Sequence, residues 1–229
     1  MILHVLERAL AARNVARAIV ATDDERILDV VKAAGFEAVM TRSHHLSGSD
    51  RLAEVAATLI ETEVIVNLQG DEPLISSQTI ERAVDELLKD DAVQVVTTSE
   101  AITDAADVLS ADVVKVVVDD TGRALYFSRS PIPFPRDAVR RHGTLRAALE
   151  NEPGLLTRFR KHTGLYVYRR AFLLEYTEWP QSELERAESL EQLRALERGV
   201  TIIVIEADSP SIGVDTEQDL ERVRKMLEE

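Results

Sequence analysis

The chain contains no cysteine in 229 residues, which excludes a disulfide framework and any thiolate metal centre. Long apolar runs are also missing. No stretch approaches the roughly 20 residues that a membrane span requires, and no signal peptide precedes the first amphipathic segment, so a cytoplasmic protein is expected. Positive charge is in short supply. With 27 Lys and Arg against 41 Asp and Glu, the formal net charge is −14, which argues against a nucleic-acid polymer or an anionic membrane as main partner. A nucleotide stays admissible, because Mg²⁺ and a few local cations can hold phosphate oxygens within a negative protein. No linker rich in Gly, Pro or Ser, no repeat and no low-complexity tract divides the sequence, so one domain over 1–229 is expected.

What is present is the mix of an ordinary globule, 45% apolar and 30% charged. The segment from Val64 to Pro73 is the most informative: a β-branched run ends at Gln69 and Gly70 and is followed by Asp71 and Glu72. This reads as a buried strand whose carboxyl end presents acids to a cleft, where open α/β sheets bind ligands. Periodicity places helix 2–13, strand 18–21, helix 25–34 closed by Gly35, strand 38–40, helix 51–61, strand 64–68, helix 77–89 and strand 93–98. Such alternation predicts an α/β, Rossmann-like, mostly parallel sheet with helices on both faces. The middle departs from it. Strands over 113–118 and 124–127 around Asp119–Gly122 predict an antiparallel hairpin inserted in the sheet, and Pro131, Pro133 and Pro135 then break regular structure. Beyond them come a basic, partly helical stretch 136–161, strand 163–168, helices 171–177 and 185–198, and strand 202–205. A sugar-side lobe over about 113–198 is expected.

Asp71 and Asp215 each lie just past a predicted strand, and two such exits could share one hard divalent cation. Each has a plainer reading: Asp71 as turn chemistry after Gly70, and Asp215 as the residue before a capping box formed by Thr216 and Asp219. Asp23 and Asp24 read as a helix cap and a first-turn acid, and His44 and His45 as solvated loop residues. His162 stands at a strand start from which its ring could reach a cleft beside Tyr166; a surface histidine is the alternative. Glu188, Glu191 and Gln192 lie in a predicted helix with Glu188 and Gln192 one turn apart, a pattern that most often marks a solvated face.

One resemblance covers essentially the whole chain. Ala21–Asp24, Met40–Arg42, His45–Arg51, Asn67–Pro73, Val114–Val117, Leu125–Pro133, His162–Arg169, Glu188–Arg194 and Gly213–Thr216 occur in the order, and with the residues, of the 3-deoxy-manno-octulosonate (Kdo) cytidylyltransferases, which the chain strongly resembles. The resemblance implies a nucleotide-diphospho-sugar transferase fold, with a mixed, mostly parallel sheet and an antiparallel insertion. It implies a homodimer and a Mg²⁺-dependent reaction of CTP with Kdo that supplies lipopolysaccharide or capsule assembly. It further implies that Asp71 and Asp215 hold Mg²⁺, that Arg42 and Ser47 contact the cytosine, and that Gln69 serves the nucleotide sugar. Arg129, His162, Tyr166, Glu191 and Gln192 are implied to line the Kdo pocket. Two departures accompany it. Ser110-Ala111-Asp112 stands where many relatives carry Asn-Pro-Asn. Relatives also begin with a strand and a loop that grips the triphosphate, whereas these 229 residues open at the helix that follows. Strands flanking that position are therefore expected to lack a ladder partner, and the 229 residues alone to release no pyrophosphate. Another acidic sugar, such as 8-amino-Kdo or a sialic acid, is the neighbouring alternative; an inactive nucleotide- or sugar-binding remnant is the other.

Overall fold

A computed structural model of the chain describes residues 1–45, 47–214 and 216–228. The mixed α/β class expected from the alternating periodicity is the one adopted. The chain divides into two compact units: Met1–Gln94 with Gly164–Pro180 and Ala207–Glu229, and Val95–Thr163 with Gln181–Glu206. Among the described residues no helix is long and apolar enough to cross a membrane.

In the first unit, helix α1 (Ile2–Ala11) buries Val5, Leu6 and Ala9, one stripe at helical spacing. Leu6 joins Val20 of strand β1 (Ile19–Thr22) and Val31 of helix α2 (Glu25–Ala33) in a small core. Asp24 caps α2, its Oδ1 accepting from the Arg26 amide at 2.8 Å, so the cap falls on the second of the two aspartates and Glu25 is the first-turn acid. Strand β2 (Glu37–Met40) pairs in parallel with β1. Helix α3 (Gly48–Thr58) begins at a Ser47 cap, three residues before the predicted start. Strand β3 (Val64–Asn67) is antiparallel to the second half of a later strand, from Val64 opposite Arg169 to Asn67 opposite Tyr166. Helix α4 (Ser77–Leu88) is capped by Ser76, and the unit closes with helices Arg170–Thr177 and Glu217–Glu228.

The second unit holds strand β4 (Val95–Ala101), buried on both faces as far as Glu100. A short helix, α5 (Ala105–Leu109), follows β4; no periodicity announces an element of five residues. The predicted hairpin is present as β5 (Lys115–Val118) and β6 (Ala124–Ser128). Asp119 builds its turn by accepting from the Thr121 and Arg123 amides at 2.8 and 3.0 Å, and Gly122 supplies a φ of +82°. The basic stretch resolves into helices α6 (Arg136–His142) and α7 (Leu145–Asn151) and a 3-10 turn (Pro153–Arg158). These pack Ala138, Ala148, Leu149, Leu155 and Phe159 against Ile102 and Val108. Strand β7 (Arg160–Arg169) starts in this unit beside β5 and ends in the first, beside β3. Helix α8 is Arg170–Thr177. The predicted helix 185–198 needs correction. It is two helices, α9 (Glu183–Glu188) and α10 (Gln192–Glu197), separated at Ser189, which adopts the left-handed conformation at φ 53°. Strand β8 (Ile202–Glu206) pairs in parallel with β4, and α11 (Glu217–Glu228) lies in the first unit.

Among the described residues β1 pairs only with β2, and β3 only with β7, so each leaves one edge without a ladder partner. Residues of β1 and β3 line one cavity of about 560 Å³, together with Ile2, Val5, Leu6 and Ala9 of α1. A four-residue strand fills about 600 Å³, from a rise near 3.3 Å, a strand spacing near 4.8 Å and a layer depth near 10 Å. The cavity therefore matches one strand in size and character. A chain extended ahead of Met1 by the strand and loop that the resemblance implies is expected to melt about 5 °C or more above the 229-residue chain, because roughly 1 kcal/mol moves Tm by about 2–4 °C at this size. Calorimetry of the two proteins checks this; equal melting temperatures would show that the cavity takes no strand.

Candidate functional site

The first unit brings together the residues at the exit of β3. Gln69, Gly70, Asp71 and Glu72 form a tight turn in which the Glu72 amide donates to the Gln69 carbonyl at 3.3 Å. The Val214 amide donates to the Asp71 carbonyl at 3.0 Å, so the segment following β8 is tied to this turn by its main chain. Ser211 donates to Glu72 Oε2 at 2.8 Å. The Asp71 side chain is half-buried, and among the described residues no donor or cation reaches its carboxylate. Asp215, the other predicted metal ligand, lies outside the described residues. Asp71 is thus a hard carboxylate, held at its main chain and, among the described residues, open at its side chain, which suits a cation of the Mg²⁺ type.

Gly164 of β7 lies against the same turn. A Cβ at this position would stand 2.8 Å from Gln69 Cγ and 3.0 Å from Glu72 Oε1. The absence of a side chain on β7 is thus what leaves room for Gln69. Two residues on, Tyr166 sits opposite Asn67 and stacks on Tyr168 with ring centroids 5.6 Å apart.

Arg42 and Ser47 flank the start of α3. Arg42 Nε donates to Glu54 Oε2 at 3.1 Å, and His45 Nε2 meets the same oxygen. The His45 ring first, and the Arg42 guanidinium with it, hold the Glu54 carboxyl below its usual range. His45 is therefore half-buried and paired, unlike the exposed His44, which corrects the reading of both as solvated. Ser47 Oγ accepts from the Asp50 amide at 3.2 Å as a helix cap. The periodicity missed one neighbour. Arg51 donates to Thr41 Oγ1 at 2.6 Å and lies 3.2 Å from Asp23, holding that carboxyl below its usual range.

The second unit carries Arg129, Glu188, Glu191, Gln192 and His162 on three segments. Glu188 accepts from Ser128 Oγ at 2.7 Å and from the Arg129 amide at 2.9 Å. The Arg129 guanidinium turns back to main-chain oxygens, donating to Glu188 at 2.7 Å, Ala111 at 3.0 Å and Ser189 at 3.4 Å. The guanidinium implied to line a pocket is thus bound to main chain, clamping the turn between α9 and α10. Past that turn Glu191 is the N-cap position of α10 and Gln192, its first residue, is buried. The far side is anchored by Arg194, whose Nε and Nη2 donate to the two Glu185 oxygens at 2.8 and 2.6 Å, both residues being buried. This bidentate pair was invisible to helical spacing, because Ser189 folds the segment back between them. His162 Nε2 lies 2.9 Å from Thr97 Oγ1, with Phe127 set edge-on at 5.0 Å. Burial pushes its pKa down to about 3, so the ring offers neutral nitrogen rather than charge.

The model of a family described as cytidylyltransferase matches residues 1–202. A 3-deoxy-manno-octulosonate cytidylyltransferase of Trichlorobacter lovleyi is 48% identical, with 100% of this chain and 88% of that protein aligned. One of Geotalea uraniireducens is 50% identical over 99% of this chain and 88% of its own. The solved structure of CMP:2-keto-3-deoxy-manno-octonic acid synthetase complexed with CTP is similar at a TM-score of 0.86 and 43% identity, over 99% of this chain and 87% of that one. A 4-diphosphocytidyl-2C-methyl-D-erythritol synthase from Anaerococcus prevotii shares only the fold, at 15% identity and a TM-score of 0.60 over 100% of this chain and 89% of its own.

His162 makes stability depend on pH with a definite sign. Its unfolded value is near 6.5 and its folded value about 3, so below pH 6.5 the unfolded chain binds the proton that the folded chain refuses. The stability tied to the neutral ring is complete above pH 6.5 and declines as the pH falls towards 3. His162→Gln is expected to flatten this slope. Urea unfolding of both proteins at several pH values measures it; parallel slopes would mean that the ring titrates freely.

Proposed function

The chain belongs to the 3-deoxy-manno-octulosonate cytidylyltransferases, and from that membership we propose that it transfers the cytidylyl group of CTP to Kdo, yielding CMP-Kdo and pyrophosphate. In this reaction the anomeric oxygen of the sugar bonds to the α-phosphorus, the bond from that phosphorus to the bridging oxygen breaks, and the hydroxyl proton is released. Such chemistry asks the protein mainly to align the two reactants and to stabilise developing negative charge. The observation that carries the reading is the Asp71 turn: an open carboxylate at a strand exit, bound through its main chain to Val214.

Asp71 and Asp215 are assigned to Mg²⁺, which when bound would neutralise phosphate charge. On the nucleotide side, Arg42 keeps exposed guanidinium N–H groups beyond its bond to Glu54, Ser47 keeps its hydroxyl proton while capping α3, and Gln69 presents an exposed amide. Those groups suit the carbonyl and ring nitrogen of a cytosine and the hydroxyls of a sugar. On the sugar side, His162 provides neutral nitrogen, Tyr166 a phenol, and Glu191 with Gln192 a carboxylate and an amide for a polyhydroxylated acid. Arg129 serves this set through the turn that it clamps. A homodimer acting in the cytoplasm belongs to the same proposal; exposed Ile27, Val30, Val39 and Met40 on neighbouring elements of the first unit support the association.

The deciding assay is pyrophosphate release from CTP and Kdo, run on the 229-residue chain and on one extended by the strand and triphosphate loop that the resemblance implies. Release by the extended chain with Kdo, and much less with 8-amino-Kdo or a sialic acid, supports the proposal. No release by either overturns it. In the active form Asp71→Asn is expected to lower turnover by at least 100-fold, several kcal/mol of lost charge stabilisation. Near-normal rates at ordinary Mg²⁺ would remove Asp71 from the metal site. Gln192→Leu should raise KM for Kdo by roughly 5- to 150-fold, the range of about 1–3 kcal/mol for a lost buried hydrogen bond, and leave KM for CTP unchanged. A rise confined to CTP would move Gln192 to the nucleotide side.

A further inference from the structure

One cation of the second unit is wholly committed to main chain. Lys115 on β5 is fully buried, and its ammonium donates to the carbonyls of Ser110 at 2.7 Å, Val113 at 2.5 Å and Arg129 at 2.5 Å. An ammonium has three N–H donors, so the set is complete. A buried charge is costly unless its donors are met. Burial and the Arg129 guanidinium lower the Lys115 pKa, while Glu188 and Asp107 act against that fall. Among the described residues no carboxylate forms an ion pair with it.

The three carbonyls mark the two segments that the Arg129 clamp joins. Ser110 and Val113 bracket Ala111, whose carbonyl accepts from Arg129 Nη1, and the third carbonyl is that of Arg129 itself. From there the amide and Nε of Arg129 hold Glu188, and Nη2 reaches Ser189. Ser189 adopts φ 53° and ψ 49°, a conformation unfavourable for a residue with a side chain and one that needs outside support. Glu191 and Gln192 follow directly. We propose that Lys115 is a positioning residue for sugar recognition: by fixing the carbonyls of Ser110, Val113 and Arg129 it sets the clamp on Glu188 and Ser189, and thereby the presentation of Glu191 and Gln192. The proposal rests on the assignment of these last two residues to the sugar.

The test uses the full chain and two variants. Lys115→Met keeps length but leaves three carbonyls unmet, and Lys115→Gln, which keeps two N–H donors, is the milder change. Hydrogen exchange over residues 188–194 is expected to quicken at least tenfold in Lys115→Met and by less in Lys115→Gln, with β4 amides unchanged. Calorimetric titration with Kdo alone should show binding weakened at least tenfold, and with CTP alone a change within twofold. Because the chain has no other cysteine, Lys115→Cys alkylated with 2-bromoethylamine in denaturant and refolded restores an ammonium of the same reach, and should restore both readouts. Unchanged exchange at 188–194, exchange quickened equally in β4 in both variants, or quickened exchange with Kdo binding intact would each overturn the proposal. Failure of the unaltered chain to bind Kdo would instead overturn the assignment of the sugar site, and exchange alone would then decide the positioning role.

Discussion

The last carbonyls of a helix have no partner within it, and at two helices of this protein arginine side chains meet three of them. Helices α3 and α4 end without a glycine cap, at Leu59 and Lys89. Two consecutive residues, the last of β7 and the first of α8, serve them. Arg170 donates to the carbonyls of Ala56 and Ala57, while Arg169 donates to those of Leu87, Asp90 and Val93. One strand terminus thereby fixes where two helices stop, and a cation at a helix C-terminus is also favoured by the helix dipole. Lys115 and Arg129 apply the same device to loops in the second unit. Cations are scarce in a chain of this charge, and all four of these donate to carbonyls, Arg169 reaching the Asp91 carboxylate as well at 3.2 Å.

That use of charge explains what could and could not be read from sequence. Elements built on periodic apolar residues were legible: α1 through Val5, Leu6 and Ala9, the Asp24 cap, the hairpin about Asp119 and Gly122, and the capping pair of Thr216 and Asp219, whose amides and side chains exchange bonds at 3.0 and 3.2 Å. The break at Ser189 was not. Glu188, Gln192 and Leu193 keep helical spacing through it, and no glycine or proline marks the left-handed residue. The turn is closed locally by the Leu190 amide on the Glu185 carbonyl and is also reached by Arg129, 60 residues earlier, a donor about which local pattern carries no information.

The candidate site divides along the same line. Asp71 was visible because a β-branched run ends just before it, and strand exits are where acids gather. Ser47 was legible only through the resemblance; it caps α3, and a hydroxyl that accepts from an amide can still donate, so the cap leaves its proton available. By contrast, the pairing of Glu54 with His45 and Arg42, and of Arg51 with Asp23, depends on how α3 meets the ends of β1 and β2. Residue types alone could not rank those partners, since each carboxylate has several cations within a few positions in sequence.

Gly164 bears on which substitutions the chain can accumulate. No left-handed backbone angle constrains this residue; the constraint is space, because the first carbon of any side chain would strike Gln69. Gly35 is the reverse case, with φ at +83° and open room around a Cβ. A scan of all replacements should therefore separate them by chemistry. Position 35 would admit asparagine, which enters that backbone region readily, and resist branched residues. Position 164 would reject asparagine and alanine alike, unless residue 69 became smaller at the same time. The two sites would then vary as a pair, and drift at 164 would be gated by the residue it shelters.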